Sequence, residues 1–429
     1  MKTMRLPTLT LLTASLALAA GAAQAQTATE ADLARRLDLL ATELTAVKAQ
    51  LAQLQQAQAA AALPPAPPPV VQPATPAAAA AGPATVITSY GELNYNRPTA
   101  RGRDAQADAR RFVLGVQHRF DDKTKLVTEL EVEHAVTSAS DAGEVAVEQA
   151  YVERQITPSL ALRAGLFLMP VGLLNENHEP TAFYGVERNF VETAIIPSTW
   201  REGGVQWVGT LDNGLTLQGG LSTSFNLGKW DAESGAGKAS PLGSVHQELA
   251  LAKSHDLATF GAVNWRGVPG LLLGGSLFTG QATQGQVADK ARITLWDLHA
   301  RWTPGRWDLS ALYTRATVSN TAALNATLVG KPTLIPKSFD GRYVQGAYRL
   351  WASGDHVLSP FLRWEQFNTA SSYADLGPGL TPEAARGERV LTLGANLQVA
   401  QGVVVKADYQ RFRENIDLNR VNLGLGWSF

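Results

Sequence analysis

From residue 85 to Phe429 the chain reads as segments of about ten residues in which alternate positions change character, and a period of two admits β-strands and little else. In Arg111–Phe120 one parity carries Phe112, Leu114, Val116, His118 and Phe120, and the other Arg111, Val113, Gly115, Gln117 and Arg119. In the next segment Leu126, Leu130 and Val132 oppose Lys125, Glu129, Glu131 and Glu133. Near the end Leu391, Leu393, Ala395, Leu397 and Val399 oppose Thr392, Gly394, Asn396 and Gln398, and Val403, Val405, Ala407 and Tyr409 oppose Lys406, Asp408 and Gln410. One face is apolar and the other can be charged, the arrangement of a strand with lipid on one side and a wet lumen on the other.

Sixteen such segments are predicted, near 85–95, 110–121, 124–135, 144–156, 160–169, 203–211, 214–225, 256–266, 270–280, 291–303, 307–317, 340–351, 356–367, 388–399, 402–413 and 419–429. Every second connection is a tight turn, as at Asp121-Asp122-Lys123, Asp212-Asn213-Gly214 or Thr303-Pro304-Gly305, and most of those between are long, as at 226–255, 318–339 and 368–387. Sorting of loops by length is expected of a transmembrane barrel with short periplasmic turns and long external loops, and a soluble sandwich has no reason for it. The predicted fold is all-β: a 16-stranded antiparallel transmembrane β-barrel over 85–429, preceded by a short helical coiled coil.

The segments ahead of the barrel have their own chemistry. Residues 1–25 read as a secretory signal peptide, with Lys2 and Arg5, an apolar stretch from Leu9 to Ala20, and Ala23-Gln24-Ala25 before the cut. No later stretch is apolar for 18 residues, so any membrane crossing by the mature chain falls to strands. Within 26–60, Leu33, Leu37, Leu40, Leu44, Val47, Leu51 and Leu54 form a heptad seam, with Glu43 and Lys48 placed to pair between parallel helices. Residues 61–84 are rich in Pro and Ala, and 63–83 within them read as a semi-rigid extended spacer of up to about 65 Å at roughly 3.1 Å per residue.

Aromatic residues give a second expectation. Phe120, Trp265, Trp302, Trp307, Trp351 and Trp427 fall at the strand ends assigned to the periplasmic side, and Tyr95, Phe225, Phe278 and Phe367 at the opposite ends, which reads as two interfacial belts.

The connection from Met169 to Glu202 stands apart. It mixes Glu176, Glu179, Glu187 and Glu192 with His178, Arg188 and Arg201, and also holds Phe183, Tyr184, Phe190, Ile195 and Ile196, which a loop wholly in solvent has little reason to carry. Folding inside the barrel would bury these groups and form a constriction from Glu176, His178, Glu179, Tyr184, Glu187, Arg188, Arg201 and Glu202; an external cap or a latch between subunits remains the alternative. The facing lumen wall is expected to carry Arg111, Arg119, Glu129, Glu131, Glu133, Arg163, Arg363, Glu365, Lys406 and Asp408.

Charge and motif content exclude several functions. With 37 Lys plus Arg against 38 Asp plus Glu and no polybasic run, the chain lacks the basic surplus of a nucleic-acid binder. With no Cys it has no thiolate metal site or thiol nucleophile. His178-Glu179 lacks a second His at 182, Gly237-Lys238 lacks the spacing of a phosphate-binding loop, and no G-x-S-x-G elbow occurs. No catalytic residue, cofactor or metal is predicted; a hydrolytic barrel enzyme and a structural tether to the cell wall are the alternatives to a channel.

The ending Val421-Asn422-Leu423-Gly424-Leu425-Gly426-Trp427-Ser428-Phe429 resembles the assembly signal of Gram-negative outer-membrane porins. Leu166-Phe167-Leu168-Met169-Pro170-Val171-Gly172, Pro197-Ser198-Thr199-Trp200-Arg201-Glu202 and Val404-Val405-Lys406-Ala407-Asp408-Tyr409-Gln410 are similar to the phosphate-selective porin O and P superfamily. The resemblance implies a homotrimeric diffusion channel in outer-membrane lipid, inserted by the barrel assembly machinery through the strand ending in Phe429, with its third loop inside. Small hydrophilic solutes, phosphate or small carboxylates among them, are the substrates it implies. The resemblance to phosphate-selective members also implies a conduit lined with many Arg and Lys, and the charge balance here departs from that. Five bases (Lys2, Arg5, Arg35, Arg36, Lys48) and four acids (Glu30, Asp32, Asp38, Glu43) precede residue 85, which leaves 32 bases against 34 acids in the barrel.

Overall fold

A computed structural model describes residues 84–138, 140–286 and 290–429, together with Thr42, Thr45, Ala46, Lys48 and Ala49. Those five are helical and belong to a unit, Met1–Ala79, distinct from Ala80–Phe429. The signal peptide, the heptad leucines and the Pro/Ala spacer lie outside the described residues.

The larger unit is a closed antiparallel barrel of sixteen strands: β1 (Thr85–Pro98), β2 (Gln106–Arg119), β3 (Thr124–Glu133), β4 (Val145–Thr157), β5 (Leu160–Leu168), β6 (Arg201–Thr210), β7 (Leu215–Thr223), β8 (Leu257–Trp265), β9 (Leu271–Gln281), β10 (Arg292–Trp302), β11 (Trp307–Val318), β12 (Ser338–Tyr348), β13 (His356–Ser372), β14 (Glu388–Ala400), β15 (Val403–Phe412) and β16 (Arg420–Ser428). A short piece, Trp351–Ser353, continues β12 beyond a break at Arg349-Leu350, and both parts pair with β13. Each strand pairs with its neighbours in sequence, and β1 pairs with both β2 and β16. Closure leaves no open edge, so every strand's backbone polar groups find partners within the sheet.

Alternation sorts the side chains as expected of a lipid-facing barrel. Phe112, Leu114, Leu130, Leu162, Leu277, Leu298, Leu362, Leu393 and Leu423 are exposed on the outside, while Arg111, Glu131, Asp297, Arg363, Glu365 and Asp408 are buried inside. The seven turns at one end are tight and the connections at the other are longer; Thr85 pairs with His118 and Phe429 bonds to Ser89, which puts both ends of the barrel chain on the tight-turn side.

Phe120, Trp302, Trp307 and Trp351 are exposed at the tight-turn end, as a belt requires. The second belt holds at Tyr95, which is exposed, and is corrected at its other three residues. Phe225 and Phe278 are fully buried and Phe367 stacks on Phe190 at 5.5 Å, so all three point inward. The physical reason is a competing apolar surface: the long loop after β5 supplies partners inside the barrel, and burial there removes more area from water than an interfacial position does.

Candidate functional site

The loop of residues 169–200 leaves β5 and turns into the barrel. Its first bend needs glycine: Gly172 has φ +73, and a Cβ there would sit 2.5 Å from Glu192 Oε2. The Glu192 carboxylate gathers the loop onto itself, accepting from Leu173 N at 2.8 Å, Leu174 N at 2.7 Å, Asn189 Nδ2 at 3.1 Å and the Tyr343 hydroxyl of β12 at 2.8 Å. Burial raises its pKa.

Hydrogen bonds then tie the loop to the wall along the half of the barrel that runs from β10 round to β1. Gly172 N donates to Asp297 of β10 at 3.2 Å, Tyr184 to Asp308 of β11 at 2.9 Å, Phe190 N to Glu365 of β13 at 2.6 Å, Val186 N to Asp408 of β15 at 2.7 Å, and Asn96 of β1 to Glu187 at 2.9 Å. Lys406 Nζ donates to the Gly185 carbonyl at 2.9 Å and lies 3.7 Å from the centre of the Phe183 ring. The apolar half packs separately: Val191, Ile195, Ile196 and Trp200 join Phe167, Phe225, Phe278 and Phe339 in one buried cluster, with Trp200 stacked on Phe225 at 5.0 Å. A loop bonded both to β1 and to β10, β11, β13 and β15 runs across the inside of the barrel.

The residues predicted for the constriction divide by environment. Glu176, Glu179, Tyr184 and Glu187 are half-buried, whereas His178, Arg188, Arg201 and Glu202 are buried. Arg188 is turned into the loop, donating to Ser198 Oγ at 2.6 Å, Thr199 Oγ1 at 2.9 Å and the His178 carbonyl at 3.1 Å. Arg201 pairs with Glu248 at 3.0 Å, and Glu202 accepts from Thr223 at 2.5 Å.

Of the expected wall residues, Arg363 and Glu365 pair at 3.0 Å under the loop. Arg111 gathers Glu92 at 2.8 Å, Glu131 at 3.1 Å and Glu133 at 3.7 Å. Glu129 accepts from Gln149 at 2.6 Å, and Arg163 pairs with Glu153 at 2.7 Å. Arg119 lies half-buried at the tight-turn end of β2, away from the loop.

Three adjoining cavities of about 410, 230 and 270 Å³ lie between the loop and the tight turns. Their charged lining is Arg266, Arg301, Arg306, Arg349 and Arg363 against Asp308 and Glu176. Arg301 and Asp308 satisfy each other, at 3.0 Å and 2.6 Å, which leaves an excess of positive charge facing the space. Sequence reasoning missed Arg266, Arg301, Arg306, Asp308 and Arg349, which stand in or close to tight turns. A residue count there does not show which side chains turn inward; following inward parity from Arg301 through Asp308 to Ala347 would have pointed to Arg349.

No family model matches the chain. A protein of Aquifex aeolicus (strain VF5), itself uncharacterized, is 30% identical over 355 residues, which cover 80% of this chain and 79% of that protein. Among solved structures, OmpF of Salmonella typhi in complex with daunomycin is similar at a TM-score of 0.56, with 12% identity over 80% of this chain and 97% of that one. The outer membrane channel DcaP of Acinetobacter baumannii is similar at 0.52, with 13% identity over 80% and 97%. At these identities the shared property is the barrel fold.

Proposed function

The chain belongs to the family of the uncharacterized Aquifex aeolicus protein, and from that premise and the barrel we propose that it is an outer-membrane porin, a passive diffusion channel for small hydrophilic solutes, anions foremost. The observation that carries the reading is the loop of residues 169–200 bonded across the lumen from β1 to β10, β11, β13 and β15. A structural barrel has no need of an internal partition, whereas a diffusion channel uses one to set its size limit.

Preference for anions is supported by the arginines beneath the loop, because positive charge at a confined mouth concentrates anions and repels cations. Phosphate and small carboxylates fit both this lining and the resemblance to the phosphate-selective porin O and P superfamily. On the same reading residues 1–25 direct export, 26–60 form a periplasmic coiled coil, 61–84 space it from the barrel at 85–429, and the channel is a homotrimer. Reversal potentials across planar bilayers with chloride, phosphate and acetate salts test the selectivity. A cation-selective current would refute the anion preference, and lipid or peptide hydrolysis by the purified protein without conductance would refute the channel.

A further inference from the structure

Beside β1 the barrel gathers acids faster than bases. Glu92, Glu131 and Glu133 share Arg111, while Glu129 and Glu148 have no Arg or Lys in ion-pair contact among the described residues. Arg188 is near, but its hydrogen bonds go to hydroxyls and a carbonyl. Glu148 reaches this position through a β-bulge: Glu129 pairs with Gln149 and Leu130 with Val147, so Glu148 is the extra residue, aimed inward. Its side chain is fully buried, and no nitrogen or hydroxyl donor reaches its Oε1, whose carboxylate otherwise meets only the neighbouring acid Glu131, the Tyr90 hydroxyl and His178.

The loop brings His178 to the same point. Its Nδ1 lies 2.9 Å from the Asn175 carbonyl, which only accepts, so Nδ1 carries a proton. Nε2 faces Glu148 Oε2 at 3.6 Å and the Tyr90 hydroxyl at 2.6 Å. That hydroxyl has one proton and donates it to Glu148 at 2.7 Å, so a neutral His178 is left with an unused lone pair toward two oxygens. A cation between them resolves both this conflict and the orphaned carboxylate oxygen.

We propose that Glu129, Glu148 and His178 bind a divalent transition-metal ion that pins the loop to β3 and β4. Their ligand atoms all lie within 4.8 Å of one another, and binding would close them to about 2.0–2.2 Å from a common centre. One imidazole held by a backbone carbonyl and two carboxylates suit zinc or manganese. The half-exposed Glu129 gives the ion its way in.

Zinc is the probe. The full chain, purified in detergent, stripped with chelator and dialysed, is titrated by calorimetry, with bound metal counted by mass spectrometry. The expected result is one high-affinity zinc per chain and a raised melting temperature. His178→Asn and Glu148→Gln should each weaken binding by at least about tenfold. Glu129→Gln, at a half-exposed position where folding is safest, should do the same. Absence of zinc uptake by the wild-type protein, or uptake unchanged in these variants, would overturn the site and leave a protonated His178 as the partner of Glu148. The measurement needs no conductance, so its failure leaves the porin reading standing.

Discussion

At the scale of single residues, the arginines divide into those that hold the loop and those that face the space beneath it. Arg188 spends its donors on the loop itself, so Arg188→Ala should lower stability by about 1–3 kcal/mol, read from denaturant unfolding in detergent. Arg266 and Arg301 face the cavities. A unit charge about 8 Å from the passage in water contributes about 0.5 kcal/mol, so replacing both by Ala should lower the anion-to-cation permeability ratio about twofold or more. Reversal potentials check this, and an unchanged ratio would remove these residues from the conducting path. The charges of the loop were legible as a mixture, yet their division was not, because it depends on which hydroxyls and carbonyls the fold brings within reach.

At the scale of elements, the strands were legible because lipid on one side and polar surroundings on the other impose a period of two on every segment. Ends were less so: β2 starts at Gln106 and β13 runs to Ser372, since strand pairing continues beyond the apolar band where alternation fades. The bulges at Arg110 and Glu148 left no trace in composition, and the second of them places a carboxylate that the alternation does not single out as functional. The inward loop was legible from its apolar residues, but its fastening through Glu192 was not. Glu192→Ala removes an acceptor shared by four donors and should cost about 2–4 kcal/mol, with noisier and larger single-channel currents as the loop loosens. Thermal melting and bilayer recording of the same preparation check both halves; a stable, quiet variant would contradict the role given to Glu192.

In the whole molecule both ends of the barrel chain lie on one side, and the heptads of the N-terminal segment lie outside the described residues. Trimer formation is expected to rest on contacts between barrels, so deleting residues 26–83 should weaken assembly without abolishing it, as mass measurement in mild detergent would show. A monomer for the full chain at micromolar protein would contradict the trimer. Whether residues 169–200 partition a conducting lumen is decided by single-channel recording, comparing the intact protein with one in which residues 175–196 are replaced by a short Gly/Ser link. The intact protein should give discrete anion-preferring steps, and the replaced one larger steps with weaker selectivity. Equal conductance in the two, or none in the intact protein, would contradict the partition.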